Sequence, residues 1–209
     1  MLFCWLAMAA FVALLLYAVH GERSRVEWLA KPAASATFIV TGVLTGGLDS
    51  SFGRIILVGL VLAAVGDVLL IPKSKAAFLG GLVSFLAGHV AYAVAFAVRG
   101  LHTPSVFISL IPIAVAAAVV LRWLWPHVEA KMRVPVLCYV LVISSMVALA
   151  VGTAVHTHAW VLLSGAVAFY LSDLAVARHR FVKQAFLNRA WGLPLYFFAQ
   201  MLLASHAGS

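Results

Sequence analysis

The chain has 209 residues, of which 65% are hydrophobic and only 10% charged, and its mean hydropathy is +1.12. So apolar a composition cannot furnish a water-soluble surface; it excludes a soluble globular enzyme and predicts a polytopic membrane protein, one integral domain over residues 1–209. The formal net charge of +8 does not indicate nucleic acid as a partner. The basic residues sit in short gaps between apolar runs, without a basic patch or interleaved aromatics, and read as topology signals and lipid-headgroup contacts.

Eight apolar runs predict an all-α transmembrane bundle with spans at roughly 2–20, 28–46, 54–71, 76–98, 104–125, 134–151, 157–177 and 189–205. Each approaches the length needed to cross about 30 Å of hydrocarbon as a helix. The first run ends in Ala18-Val19-His20-Gly21, as a signal peptide could, but it lacks a basic leader and is longer than a signal core requires, so it counts as a span. Of the 14 Lys and Arg residues, Arg23, Arg25, Lys31, Lys73, Lys75, Arg122, Lys131, Arg133, Arg178, Arg180, Lys183 and Arg189 flank odd-numbered loops. Only Arg54 and Arg99 flank even ones. The positive-inside rule therefore predicts cytoplasmic odd loops and both termini outside. Under that topology Cys4 and Cys138 lie at opposite membrane faces, beyond disulfide reach, and both are expected in the core.

With four spans per half, 1–4 and 5–8 share orientation, which allows a 4+4 parallel repeat placing Asp67 and Asp173 at equivalent positions. At about 1.5 Å per residue, Asp67 lies roughly 7 Å and Asp173 roughly 6 Å from the cytoplasmic ends of their spans. Rows of small residues support inward-facing surfaces: Gly59 and Ala63 before Asp67, Ser164, Ala168 and Ser172 beside Asp173, Gly80, Ser84 and Gly88 in span 4, and Gly42 and Gly46 in span 2. The other acidic residues, Glu22, Glu27, Asp49 and Glu129, are expected as solvated loop charges.

A carboxylate inside an apolar span is costly unless it faces a partner or a water-filled cavity, so Asp67 and Asp173 are the leading candidates for chemistry. His89 in span 4, expected further from the cytoplasm than the Asp pair, joins them, with Tyr92 one turn on. Lys31, before Pro32, and Asn188 with Arg189 open spans 2 and 8 near the Asp level, and Tyr196 and Gln200 face inward further up. Structural roles compete with each reading: a hydrogen-bonded core histidine, a snorkelling lysine, a carboxylate that only caps a neighbour. His156 and His158 lack a third ligand, and no cofactor or resident metal is expected.

The string Gly66-Asp67-Val68-Leu69-Leu70, then Phe78-Leu79-Gly80-Gly81 through Ala87-Gly88-His89-Val90-Ala91-Tyr92 and Phe96, then Gly165-Ala166 through Phe169 and Leu171-Ser172-Asp173, then Tyr196 and Gln200, resembles the YhhN family. Lys31-Pro32 and Tyr139 match as well. That family comprises eight-span membrane proteins and includes the animal lysoplasmalogenases. The resemblance implies hydrolysis of the vinyl ether bond of a lysophospholipid substrate within the bilayer, releasing a fatty aldehyde and a glycerophospho-alcohol. It also implies a bacterial inner membrane location, since bacterial members are nearest in length. Such chemistry needs a protonated carboxyl group to protonate carbon and an anion to stabilise the resulting oxocarbenium ion and activate water. Two carboxyl groups in a low-dielectric cavity can divide these roles. The sequence does not say which Asp takes which. A metal-assisted hydrolase using Asp67, Asp173 and His89, a proton-coupled carrier, and an assembly protein without a site are the alternatives.

Overall fold

The computed structural model describes all 209 residues, and every regular element in it is helical. The eight long helices are α1 (Leu2–His20), α2 (Ser24–Leu44), α3 (Ser51–Leu69), α4 (Lys75–Arg99), α5 (Thr103–Leu124), α6 (Ala130–Thr157), α7 (Trp160–Ala177) and α8 (Phe186–Ser205). A short 3-10 turn, Trp125–His127, precedes α6, and a π-helical turn, Arg178–Val182, prolongs α7. Local chemistry fixes several ends. The Ser50 hydroxyl accepts from the Gly53 amide at 3.0 Å to start α3, and Ser74 accepts from Ala77 at 3.1 Å to start α4. His158 ends α6 in the left-handed region with φ of 59°.

Six of the eight helices are long and apolar enough to cross a membrane: α1, α3, α4, α5, α6 and α7. The two that fall short, α2 and α8, carry Lys31, Ser35, Asn188, Arg189, Tyr196 and Gln200, polar residues that dilute their hydropathy. They remain long enough to span, at about 30 Å each for a rise of about 1.5 Å per residue.

Several expectations need correcting. Helix α2 begins at Ser24, four residues before the apolar run, so Lys31 and Pro32 lie two turns inside it and not at its entrance. Pro135 likewise falls inside α6. Glu27 is a half-buried helical residue whose carboxylate pairs with the Arg189 guanidinium, where a solvated loop charge was expected. Gly46 lies beyond the end of α2 with φ of 86°, a turn conformation natural to glycine, and so contributes nothing to a helix-packing row. Ser164 is exposed and belongs to no contact row. Cys4 is buried, but Cys138 is exposed on α6.

The helices pack by a repeating scheme. Helix α1 packs on α2, α2 on α3 and α3 on α4; in the second half α5 packs on α6, α6 on α7 and α7 on α8. The halves join through two matching contacts, α2 with α8 and α6 with α4. Two differences break the match: α1 and α3 both pack against α8, whereas neither α5 nor α7 makes a comparable backbone contact with α4. The most extensive helix contact is between α3 and α4, where Gly59 lies under the Tyr92 ring and the Ser84 hydroxyl donates to the Leu62 carbonyl at 2.6 Å.

Candidate active site

A cavity of about 910 Å3 opens where α3 and α7 end and α2, α4 and α8 begin. Exposed Glu22, Lys73, Arg180 and Gln184 line its mouth, so it reaches the surface. Its walls differ. On the side of α1, α2 and α8 stand His20, Glu27, Lys31 and Arg189; on the side of α4, α5 and α6 stand Leu82, Val120, Leu124, Val136, Val140 and Ile143. Asp67 and Asp173 both line this one space.

Asp67 is enclosed by donors. The Lys31 ammonium lies 3.3 Å from Oδ1 and donates to the Asp67 backbone carbonyl at 2.9 Å. The Ser35 and Tyr196 hydroxyls each donate to Oδ2 at 2.7 Å. Ser35 is one turn after Lys31 on α2, so two α2 side chains reach the same carboxylate. A buried anion requires such partners, and Lys31, itself buried, requires the anion.

Asp173 has a different setting. The Tyr139 hydroxyl donates to Oδ2 at 2.7 Å, and His89 Nε2 stands 3.6 Å from the same oxygen. The His89 ring is wholly buried, 4.3 Å from the Phe169 ring centroid, and its Nδ1 bonds the Phe85 carbonyl at 2.7 Å. The side chain of Asp173 is 17% exposed, into the cavity, against 2% for Asp67.

Expected site residues thus fall into three groups. Lys31, Asp67, Asp173, Asn188, Arg189 and Tyr196 line the cavity. His89 lies behind Asp173, closer to it than depth along the helix suggested. Side chains lean toward the N-terminus of their helix, so on antiparallel α4 and α7 His89 and Asp173 lean toward each other. Tyr92 and Gln200 lie off the cavity and bond one another at 2.7 Å. Asn188 serves its own chain as well, donating to the Lys183 carbonyl and accepting from Arg178. Ser35 and Tyr139 were not among the expected site residues. A hydroxyl one helical turn past Lys31 was the available signal for Ser35; Tyr139 gave none beyond its place in the family resemblance. No group of three or more His, Cys, Asp or Glu side chains is disposed to hold a metal ion.

Fold and site together define an integral membrane protein of helices, with two carboxyl groups meeting in one cavity that is charged on one wall and greasy on the other. The chain belongs to the YhhN family, whose profile matches residues 26–207. It is 33% identical over 160 residues to the lysoplasmalogenase TMEM86A of Bos taurus, a match covering 73% of this chain and 64% of that protein. The Homo sapiens protein of that name is 34% identical over the same coverage. A lysoplasmalogenase of Mycobacterium bovis is 32% identical over 142 residues, 66% of this chain and 52% of the relative. The match spans less than two thirds of the length of these relatives. No solved structure matches.

Proposed function

We propose that this protein is a membrane-embedded hydrolase that cleaves the vinyl ether bond of lysoplasmalogen-type lysophospholipids to a fatty aldehyde and a glycerophospho-alcohol. The observation that carries this reading is the single cavity holding both Asp67 and Asp173 between a charged wall and an apolar one, dimensions and polarity that suit a lipid with one chain and a phosphate headgroup. The names borne by the relatives agree with it. In this reading one Asp protonates the vinyl carbon and the other, as the anion, stabilises the oxocarbenium ion and takes a proton from water. Arg189 holds the headgroup phosphate at the charged wall, and the chain lies among α4, α5 and α6. The protein crosses the membrane eight times, in a bacterial inner membrane, with both termini outside; the matching of helix contacts between the first and second halves supports a 4+4 parallel repeat.

The test is to incubate purified protein with a panel of lyso-ether and lyso-ester lipids and measure released aldehyde. Run in heavy water, the vinyl ether reaction should place one deuterium on the carbon next to the aldehyde, after correction for exchange through the enol. Asp67→Asn and Asp173→Asn should each remove most turnover in a folded protein, and the double variant should be little worse than either, since the two act on one bond. Aldehyde without carbon-bound deuterium would exclude the mechanism, and a single variant with near-normal turnover would make that Asp structural.

A further inference from the structure

Resting on the vinyl ether reading, the geometry divides the roles of the two carboxyl groups, and we propose that Asp173 is the acid that protonates the substrate carbon, Asp67 the resident anion, and His89 a positioning residue that keeps the Asp173 proton in place. Three observations converge.

The first is the hydrogen-bonding inventory of His89. The Phe85 carbonyl can only accept, so Nδ1 carries the hydrogen of that 2.7 Å bond. In the neutral ring Nε2 is then a bare lone pair, and it has no hydrogen-bond partner, with Asp173 Oδ2 at 3.6 Å facing it. A lone pair facing a carboxylate is repulsive; facing a carboxylic acid it is complementary. The remaining arrangement, an imidazolium, would put a full charge on a ring that is wholly buried against Phe169 and has no hydrogen-bond partner at Nε2.

The second is the contrast with Asp67. Its carboxylate receives the buried Lys31 ammonium together with the Ser35 and Tyr196 hydroxyls, a set that includes a full positive charge and suits a resident anion, whereas no cation stands beside Asp173.

The third is position. Asp173 adjoins Tyr139 on the apolar wall and Asp67 adjoins Lys31 on the charged wall. A lysolipid lying with its headgroup by Arg189 and its chain by α5 and α6 presents its bond in order: glycerol oxygen toward Asp67, the vinyl carbon next to oxygen, then the second vinyl carbon toward Asp173. That second carbon is the one that must be protonated.

The cycle closes without any other reactant than water. The Asp173 proton is taken by the double bond, forming the new C–H bond, and the oxygen lone pair makes the oxocarbenium ion opposite Asp67. Water adds to the carbon beside oxygen and gives its proton to Asp67. In the collapse of the hemiacetal, Asp67 returns that proton to the departing glycerol oxygen while Asp173 takes the hemiacetal hydroxyl proton. Both groups end as they began.

Infrared spectroscopy of the purified protein without substrate tests the assignment, because a protonated carboxyl group has a carbonyl stretch that carboxylates lack and that shifts in heavy water. Only six acidic residues are present. The wild-type protein at neutral pH should show the band, Asp173→Asn should abolish it, Asp67→Asn should retain it, and Tyr139→Phe should shift it while Tyr196→Phe does not. A wild-type spectrum without the band overturns the proposal, as does a band lost with Asp67→Asn, lost in both variants, or moved by Tyr196→Phe alone. The spectra need no turnover, so a protein that released no aldehyde could still pass, and an active one could still fail. As a second reading of His89, His89→Gln should lower kcat severalfold with KM little changed and move the alkaline limb of the rate profile; an unaltered limb would leave His89 as packing only.

Discussion

At the scale of the residue, the ion pairs separate two cations that sequence alone placed together. Lys31 and Arg189 both lie at the charged wall, but Lys31 is buried against Asp67 while Arg189 pairs with Glu27, each partly accessible from the cavity. Lys31→Gln should therefore lower kcat, since it removes the counter-charge of a reacting group. Arg189→Gln should instead raise KM with less effect on kcat, since phosphate binding is similar in the ground and transition states. Steady-state kinetics on one lysolipid would separate them, and equal effects on both constants would mean that Arg189 also meets the reacting atoms. The carboxyl groups were legible in the sequence because an Asp in an apolar run is rare. Ser35 was not, because a hydroxyl in a membrane helix commonly bonds its own backbone, as Thr37, Thr41 and Ser145 do here, and Ser35 does so to the Lys31 carbonyl at 3.1 Å while also reaching Asp67.

At the scale of the element, hydropathy found all eight helices and missed what is polar about two of them. The start of α2 lay hidden because its first turn carries Ser24, Arg25 and Glu27, which read as loop until the Arg189 partner on α8 is known. The contact between α3 and α4 depends on a missing side chain. A Cβ on Gly59 would lie 2.3 Å from a carbon of the Tyr92 ring, so Gly59→Ala must push that ring away from Gln200 or part the helices. A loss of about 1–3 kcal/mol is expected for such overpacking. Thermal unfolding in detergent should show a lowered midpoint, and activity at a permissive temperature should fall less than stability does, since Tyr92 and Gln200 lie off the cavity. An unchanged midpoint would show that α4 can shift freely there.

For the whole molecule, the charge bias of the loops and the place of the cavity are linked. The cavity opens at the end of the bundle that carries the Lys- and Arg-rich connections, so the positive-inside rule predicts its mouth at the cytoplasmic leaflet. Reporter fusions in the α2–α3, α4–α5 and α6–α7 connections and at both termini should report the outside, and fusions in the other four connections the inside. A cytoplasmic C-terminus would overturn both the span count and the leaflet from which substrate enters. The lateral side that α5 leaves open toward α4 was invisible in the sequence, because spans 1 and 5 look alike there; the difference lies in which neighbour each meets.

The carboxyl groups also bear on how the chain is made. Each Asp has a partner on the helix just before it, Lys31 and Ser35 of α2 for Asp67 of α3, Tyr139 of α6 for Asp173 of α7. Its second partner comes from the far half: Tyr196 of α8 for Asp67, His89 of α4 for Asp173. During synthesis a helical hairpin can therefore enter the bilayer with its carboxyl group already neutralised or hydrogen-bonded, avoiding the cost of a bare charge in hydrocarbon. The crossing contact of Asp173 waits for α7 and that of Asp67 for α8, so the cavity is completed only after α8 has left the ribosome.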